Sequence, residues 1–145
     1  MQAVNPKSTA KVNVGGVEFT VGIIPYGKKL EIEASGYARA MSGSATMTEQ
    51  EALGLMKQSL EYVRWGIRGH AGFTFADGSP VPFIGEKVMV GGHEIEIVSQ
   101  ETLEIYGATK NEMDVKGEKI SLSLVSALSG EVSKFNYSSE AVVKN

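Results

Sequence analysis

The feature that most constrains the fold is a pair of glycines set between two short runs of alternating apolar residues, and it occurs twice. In VNVGGVEFTVGI the glycines are Gly15 and Gly16, and in KVMVGGHEIEIV they are Gly91 and Gly92. Glycine adopts the positive φ angles of a two-residue turn without strain, so each segment predicts an antiparallel β-hairpin. The two hairpins are expected to pair into one small antiparallel sheet.

Apolar residues at spacings of three and four predict two helices after the first hairpin. The first helix is expected to end at Gly43 and to bury one face, formed by Leu30, Ala34, Tyr37 and Met41. The second begins with a capping box of Thr48 and Glu51 and runs to about Arg64 or Ile67. The residues expected to form its buried stripe are Leu53, Met56, Leu60, Val63 and Ile67.

The C-terminal half contains one clear helix start and one ambiguous segment. Ser99 is expected to cap a short helix that ends at Gly107, and the segment 109–119, TKNEMDVKGEK, is interpreted as a polar connector. Residues 118–135 fit either a strand or a helix. Strand-like alternation is carried by Ile120, Leu122 and Leu124, and helical spacing by Val125, Leu128, Val132 and Phe135. A helix from about Leu122 onward is favoured.

These elements define the fold class and the domain organisation. The polar residues 1–10, which include Pro6, are interpreted as an N-terminal arm. Residues 11–145 contain no segment rich enough in linker residues to separate two domains, and 145 residues suffice to bury one core. We therefore expect a single α+β domain, in which a small antiparallel sheet of Gly-Gly hairpins packs with three to four helices.

Composition excludes several classes of function. The net charge of −3 gives no basic surface, so nucleic acid is not an expected partner. The absence of cysteine excludes disulfides, thiolate zinc sites and cysteine nucleophiles. The N-terminal residues lack the apolar core of a signal peptide, and no apolar run approaches the ~20 residues of a membrane span. We therefore expect synthesis in the cytoplasm and no membrane association.

Candidate catalytic groups are sparse. The chain has two histidines, His70 and His93, and each stands beside glycines in a predicted loop or hairpin tip. A two-histidine metal site completed by Glu94 or Asp77 is one alternative, but histidines that brace a loop or face solvent are the favoured interpretation. No Gly-x-Ser-x-Gly elbow occurs, and no glycine pair opens a helix in a phosphate-binding pattern. We expect no enzymatic activity, no metal and no organic cofactor.

The segment 65–83, WGIRGHAGFTFADGSPVPF, is the strongest candidate for a functional surface. Asp77-Gly78 is a tight-turn signal, and Pro80 and Pro82 restrict the backbone beyond it, so an ordered loop or a short edge hairpin is expected. Prolines lower the entropy lost on docking, which suits a protein-contact loop. The predicted contact residues are Trp65, Phe73, Phe75, Asp77, Gly78, Pro80, Val81, Pro82 and Phe83.

The sequence allows two positions, core or interface, for Trp65 and for the large apolar residues of this surface. Trp65 lies off the main apolar stripe of its helix. A core residue is the favoured interpretation, and an interface anchor is the alternative, since Trp is enriched at the energetic centres of interfaces. Phe73, Phe75, Val81 and Phe83 either divide between the core and a partner or all fold back onto the helix that ends near Trp65. Large contiguous apolar surface is rarely exposed without a use, which favours the division.

The order of these features resembles that of small tail-assembly proteins of tailed bacteriophages. The resemblance is carried by the helix that ends at Trp65, the short apolar stretch after it, and the Asp-Gly-x-Pro-Val-Pro-Phe motif at residues 77–83. An N-terminal Gly-Gly hairpin precedes the motif and a helical part follows it. Two features differ from the pattern: His70 stands where a Trp is expected after Gly69, and the Gly91-Gly92 hairpin is additional.

The resemblance implies a non-enzymatic bacteriophage morphogenesis protein. The first functional alternative is a tail assembly chaperone, which binds tail-tube or tape-measure proteins in the host cytoplasm before they polymerise. A second is a structural subunit of the virion, in the tail tube, the head–tail joint or the baseplate, that self-associates into rings. In both, the partners are other phage tail or neck proteins. An unrelated small α+β binding module or enzyme is the third alternative.

Overall fold

The computed structural model describes residues 1–42 and 49–137, with side chains described for residues 1–34 and 49–137. In these ranges the chain forms seven strands and four helices. They are β1 (Thr9–Val14), β2 (Val17–Gly22), α1 (Tyr26–Ser42), α2 (Glu49–Gly66), β3 (Ile67–Ala71), β4 (Gly85–Val90), β5 (His93–Val98), α3 (Gln100–Ala108), β6 (Lys110–Val115), β7 (Glu118–Ser123) and α4 (Leu124–Tyr137). The predicted α+β class, with small antiparallel hairpins and four helices, is confirmed.

Both predicted Gly-Gly hairpins are present, but they lie in different sheets. β1 pairs with β2 across Gly15-Gly16, and β4 pairs with β5 across Gly91-Gly92. The first hairpin is extended by β3, which pairs antiparallel with β2, whereas β4–β5 forms a sheet of two strands. The expectation of one shared sheet is therefore wrong. The reason is that the residues directly after α2 occupy the edge of β2.

The segment 109–119 is not a connector, and that prediction is wrong. It contains β6 and the turn of a third hairpin, which pairs Met113 with Ile120. The turn residues Lys116 and Gly117 both have positive φ, 53° and 84°, as a two-residue hairpin turn of the primed type requires. Charged residues on one face of this hairpin conceal its apolar alternation. Residues 118–135 accordingly contain both predicted alternatives, β7 followed by α4.

The first helix forms, but its buried face differs from the predicted one. Leu30 is 50 % exposed and Ala34 is exposed, while Ile32 is buried. Tyr37, Met41 and Gly43 lie outside the residues whose side chains are described. The predicted face is thus wrong at Leu30 and Ala34, because the helix turns Ile32 toward the core instead.

The second helix forms over the predicted range, and its predicted stripe is only half buried. Thr48 lies outside the described residues, so the capping box is not seen. Leu53 and Met56 are 55 % and 63 % exposed, Leu60 is half-buried, and Val63 is fully buried. Burial of the whole stripe was therefore a wrong prediction. The core lies at the C-terminal half of α2, and Ile67, also fully buried, already belongs to β3.

The core is closed by a close approach of α2 and α4. A Cβ atom added at Gly66 would lie 2.2 Å from Cγ1 of Val132, so only glycine allows this distance.

The predicted cap of the short helix is confirmed, since the Ser99 hydroxyl accepts from the Thr102 amide, but that helix ends at Ala108 rather than Gly107. The largest fully buried side chains include Phe19, Ile24, Ile67, Ile97, Tyr106 and Leu128.

Candidate protein-contact site

The residues 72–83, which we term the contact loop, connect β3 to β4 as an ordered turn. A bridge pairs Thr74 with Pro80, and the Phe75 amide donates to the Ser79 carbonyl at 2.8 Å. The Gly78 amide donates back to the Phe75 carbonyl at 2.9 Å. Gly78 has a φ of 89°, which side chains rarely adopt. Of the two predicted alternatives, the ordered loop is confirmed, since the pairing consists of one isolated bridge and not of an edge hairpin.

The side chain of Asp77 stabilises the tip of the contact loop. Its carboxylate accepts from the Ser79 hydroxyl at 2.5 Å and from the Ser79 amide at 2.9 Å. The hydroxyl bond first, and the amide bond after it, hold the pKa of the Asp77 carboxyl below its ordinary value. The group is exposed, so the loop presents a negative charge to solvent at neutral pH.

His70 of β3 anchors the base of the contact loop. Its Nε2 lies 2.7 Å from the Val81 carbonyl oxygen, and its Nδ1 lies 2.6 Å from the hydroxyl oxygen of Tyr106 in α3. A carbonyl only accepts, so Nε2 carries the proton and donates to Val81. In the neutral ring Nδ1 then accepts the hydroxyl proton of Tyr106. Both ring nitrogens are satisfied, which is the loop-bracing role that the sequence favoured for this histidine.

Four aromatic rings surround the His70 imidazole edge to face. The ring centroids of Phe73, Phe83 and Tyr106 lie 5.3, 5.5 and 5.7 Å from it, and that of Phe19 lies 6.1 Å away. Such pairs stabilise by about 0.5–1.5 kcal/mol each beyond the area they bury. Burial among these rings raises the pKa of the Tyr106 hydroxyl, which therefore stays protonated as a donor.

The exit of the contact loop is held by the start of α3. The Ile84 amide donates to Oγ1 of Thr102 at 3.1 Å, and the Ser99 amide donates to the Ile84 carbonyl at 3.0 Å. Thr102 is completely buried. Because the loop is fixed at its base by His70 and at its exit by Thr102, its tip is held in one orientation.

The structure divides the predicted apolar contact residues between core and solvent. Val81 is 4 % exposed, and Phe73 and Phe83 are half-buried against the core. Phe75 is 43 % exposed, so the alternative in which all four side chains lie in the core does not hold. The exposed predicted residues of the tip and exit are Phe75, Asp77, Gly78, Pro80 and Pro82.

Trp65 does not join the rings of the contact loop. It is half-buried against the core, and the Lys28 ammonium lies 5.1 Å from its ring centroid. Its carbonyl accepts from the guanidinium of Arg68, which also donates to the Ile23 carbonyl at 2.7 Å. Burial lowers the pKa of Arg68 to about 10, so it remains a cation at neutral pH. Trp65 and Arg68 thus fix the junction of α2 and β3, below the loop.

Sequence reasoning missed the partner of His70. Tyr106 lies 36 residues further along the chain, and no spacing rule connects a loop histidine to a tyrosine in a later helix. The one sequence signal for a buried Tyr106 was its position near the end of a short, capped helix with several apolar residues. His93 lies at the exposed end of β5, opposite Val90, and is not brought near His70 by the pairing of its hairpin.

Within residues 1–42 and 49–137, no group of three or more His, Asp or Glu side chains is arranged to hold a metal ion. None of the helices in the described ranges combines the length and hydrophobicity of a membrane-spanning segment. Comparison of the chain with protein-family models, with curated proteins and with solved structures finds no match.

Proposed function

We propose that the protein is a non-enzymatic bacteriophage morphogenesis protein, a tail assembly chaperone that binds tail proteins through the contact loop before they polymerise. The observation that carries the proposal is that the contact loop has a buried base and an exposed tip. Its base is buried among the rings around His70, while Phe75 at its tip is 43 % exposed. A hydrophobic residue held outward on a rigid turn is the arrangement of an interface anchor.

The rigidity of the loop supports a binding role in a second way. Binding through a flexible loop loses affinity, because each segment that becomes ordered costs conformational entropy. Here the Asp77–Ser79 bonds order the tip, and the His70–Val81 bond fixes the base before any partner is present. The tip is also small and polar around its one aromatic ring, so it is expected to enter a partner's apolar pocket rather than cover a wide surface.

The bacteriophage context rests on the resemblance of residues 65–83 to small tail-assembly proteins. Within the motif at residues 77–83, the exposed residues are Asp77, Gly78, Ser79, Pro80 and Pro82. Two of these residues are prolines, which restrict the backbone, and Asp77 is the one charged residue among them, so the motif is better suited to protein contact than to catalysis. That is the role which the resemblance implies.

The test is affinity capture from cells infected by the phage whose genome encodes the chain. A tagged copy of the protein is purified at several times after infection, and the proteins bound to it are identified by mass spectrometry. We expect a tail-tube, tape-measure or neck protein to be enriched before mature tails accumulate. Capture of no tail or neck protein at any time would overturn the proposal.

A second candidate, a structural subunit of the virion, is favoured by the hairpin β6–β7. One face of this hairpin is apolar, and three of its residues, Met113, Val115 and Leu122, are each about two-fifths exposed. A sheet of two strands is marginally stable in water without further cover. Ring-forming subunits often use projecting hairpins to contact their neighbours. Mass spectrometry of purified virions separates the candidates, since a chaperone is absent from finished particles and a subunit is present in many copies.

A further inference from the structure

An open groove of about 580 Å³ lies beside the C-terminal end of α3, apart from the contact loop. Its walls come from α2 and α4, and include Leu55, Met56, Leu60 and Val125. Among the described residues that line it, the one cationic side chain is that of Lys110, which is exposed at the start of β6. The volume is within the ~300–1,000 Å³ range of pockets that enclose a compact ligand. A Phe side chain with its flanking turn residues is of that scale.

The groove complements the tip of the contact loop in two respects. Met56 is 63 % exposed, and thioether side chains adapt their shape and make favourable contacts with aromatic rings such as that of Phe75. Lys110 makes no ion pair with any residue in the described part of the chain, and neither does Asp77. Among the described residues, the loop therefore offers an aromatic ring and a carboxylate without an ion pair, and the groove offers an apolar wall and an ammonium without an ion pair.

Within one chain the tip of the contact loop does not fill the groove. The loop and the groove share no residue, and Phe75 stays exposed while His70 and Thr102 hold the loop in place. A surface feature and its complement at different places on one molecule form a head-to-tail contact between copies. Such a contact closes into a ring or extends as a filament.

We propose that the groove binds the contact loop of a second copy of this chain, with Phe75 against Met56 and Asp77 against Lys110. The inference rests on the proposed function, because it assumes that the loop is a protein-contact surface, and it adds the identity of one partner. In this arrangement the loop of each copy occupies the groove of another copy. Self-association and the binding of a tail protein therefore use the same loop.

Charge exchange tests the pairing directly. Asp77→Lys and Lys110→Asp are each expected to weaken self-association, measured by sedimentation velocity, by about tenfold, because each places like charges opposite each other. An equimolar mixture of the two variants is expected to recover association in part, since every interface of an alternating assembly then pairs Lys with Asp. The recovery is partial because Asp77→Lys also removes the carboxylate bonds to Ser79 that order the tip. Lys7→Asp, an exposed lysine outside the groove, is the control and leaves association unchanged. Melting temperatures of all variants are measured alongside, to separate lost contact from lost folding.

The possible results separate the inference from the proposed function. A wild-type protein that stays monomeric at its highest soluble concentration overturns the inference, as does a mixture that recovers no association. If Lys110→Asp lowers self-association but leaves the capture of tail proteins intact, both proposals stand. If both charge variants leave self-association unchanged while Phe75→Ser abolishes capture, the groove inference fails and the proposed function stands.

Discussion

The Nδ1 atom of His70 lies 2.6 Å from the hydroxyl oxygen of Tyr106, and this contact joins the loop strand β3 to helix α3. The opposite nitrogen of the ring donates to the carbonyl of Val81 in the contact loop. One imidazole therefore connects β3 to the contact loop that directly follows it and to Tyr106 of α3, which lies 36 residues further along the chain. The orientation of the loop depends on a hydroxyl proton supplied by a helix.

Replacing Tyr106 with Phe removes that proton donor and leaves Nδ1 of His70 without a partner in a largely buried site. We expect a loss of about 1–3 kcal/mol in the free energy of unfolding, the usual cost of an unsatisfied buried group. Faster hydrogen exchange of the Val81 amide, which bonds to Phe73, is expected as well.

The matched control for this change is Tyr62→Phe. The Tyr62 hydroxyl lies 3.4 Å from that of Tyr137, which is a weak contact, so we expect a loss below about 1 kcal/mol. Equal losses for the two variants in denaturant titrations would show that the His70–Tyr106 bond has no special role.

Two glycines of α2 differ sharply in the space around them. At Gly66 a Cβ would lie within 3 Å of two Val132 atoms, and at Gly54 it would meet nothing within 4 Å. We expect Gly66→Ala to destabilise the protein by about 1–3 kcal/mol through overpacking. Gly54→Ala is expected to stabilise it by up to about 1 kcal/mol, because alanine is the better helix former. Thermal unfolding of both variants checks this, and similar shifts in one direction would contradict the packing of α2 on α4.

Local sequence signals were sufficient to predict the elements whose structure is determined by interactions among neighbouring residues. The double glycines predicted two hairpins because positive φ angles are required at their turns, at Gly15, Gly16, Gly91 and Gly92. Ser99 predicted the start of α3 because its hydroxyl caps the helix locally. In both cases the determining interactions lie within a few residues.

Elements that depend on distant packing were not predictable in the same way. The strand β3 forms because the edge of β2 is free to pair with it, and its sequence IRGHA shows little alternation. The exposure of Leu53 and Met56 is also a tertiary effect, since the buried residues of α2, Tyr62, Val63 and Gly66, all lie near its C-terminal end. Likewise, the pairing of His70 with Tyr106 depends on where α3 lies in the fold.

The pH response of the loop tip is set by the Asp77 carboxyl. Its pKa in the folded protein is lowered by Ser79, so the ionised form contributes stability above its unfolded-state pKa, and this contribution is lost as the pH falls through the folded-state pKa. Ser79→Ala removes the hydroxyl donor and is expected to raise the Asp77 pKa, so the loss occurs at higher pH. An NMR titration of the Asp77 side chain measures this.

The control for the titration is Ser121→Ala, an exposed serine of β7 outside the contact loop. It is expected to leave the Asp77 pKa unchanged. If Ser79→Ala also leaves that pKa where it is, the hydrogen bond between Ser79 and Asp77 does not order the tip in solution.

The central claim is that the exposed tip of the contact loop binds another protein, and the effect of Phe75→Ser on binding tests it most directly. The measurement is the dissociation constant for the partner identified by the affinity capture, with the melting temperature followed in parallel. Met89→Ser, at an exposed apolar position of the second hairpin, is the control. We expect Phe75→Ser to weaken binding by about tenfold or more, as for an interface anchor, with a nearly unchanged melting temperature. Unchanged binding, or a large fall in melting temperature, would contradict the claim.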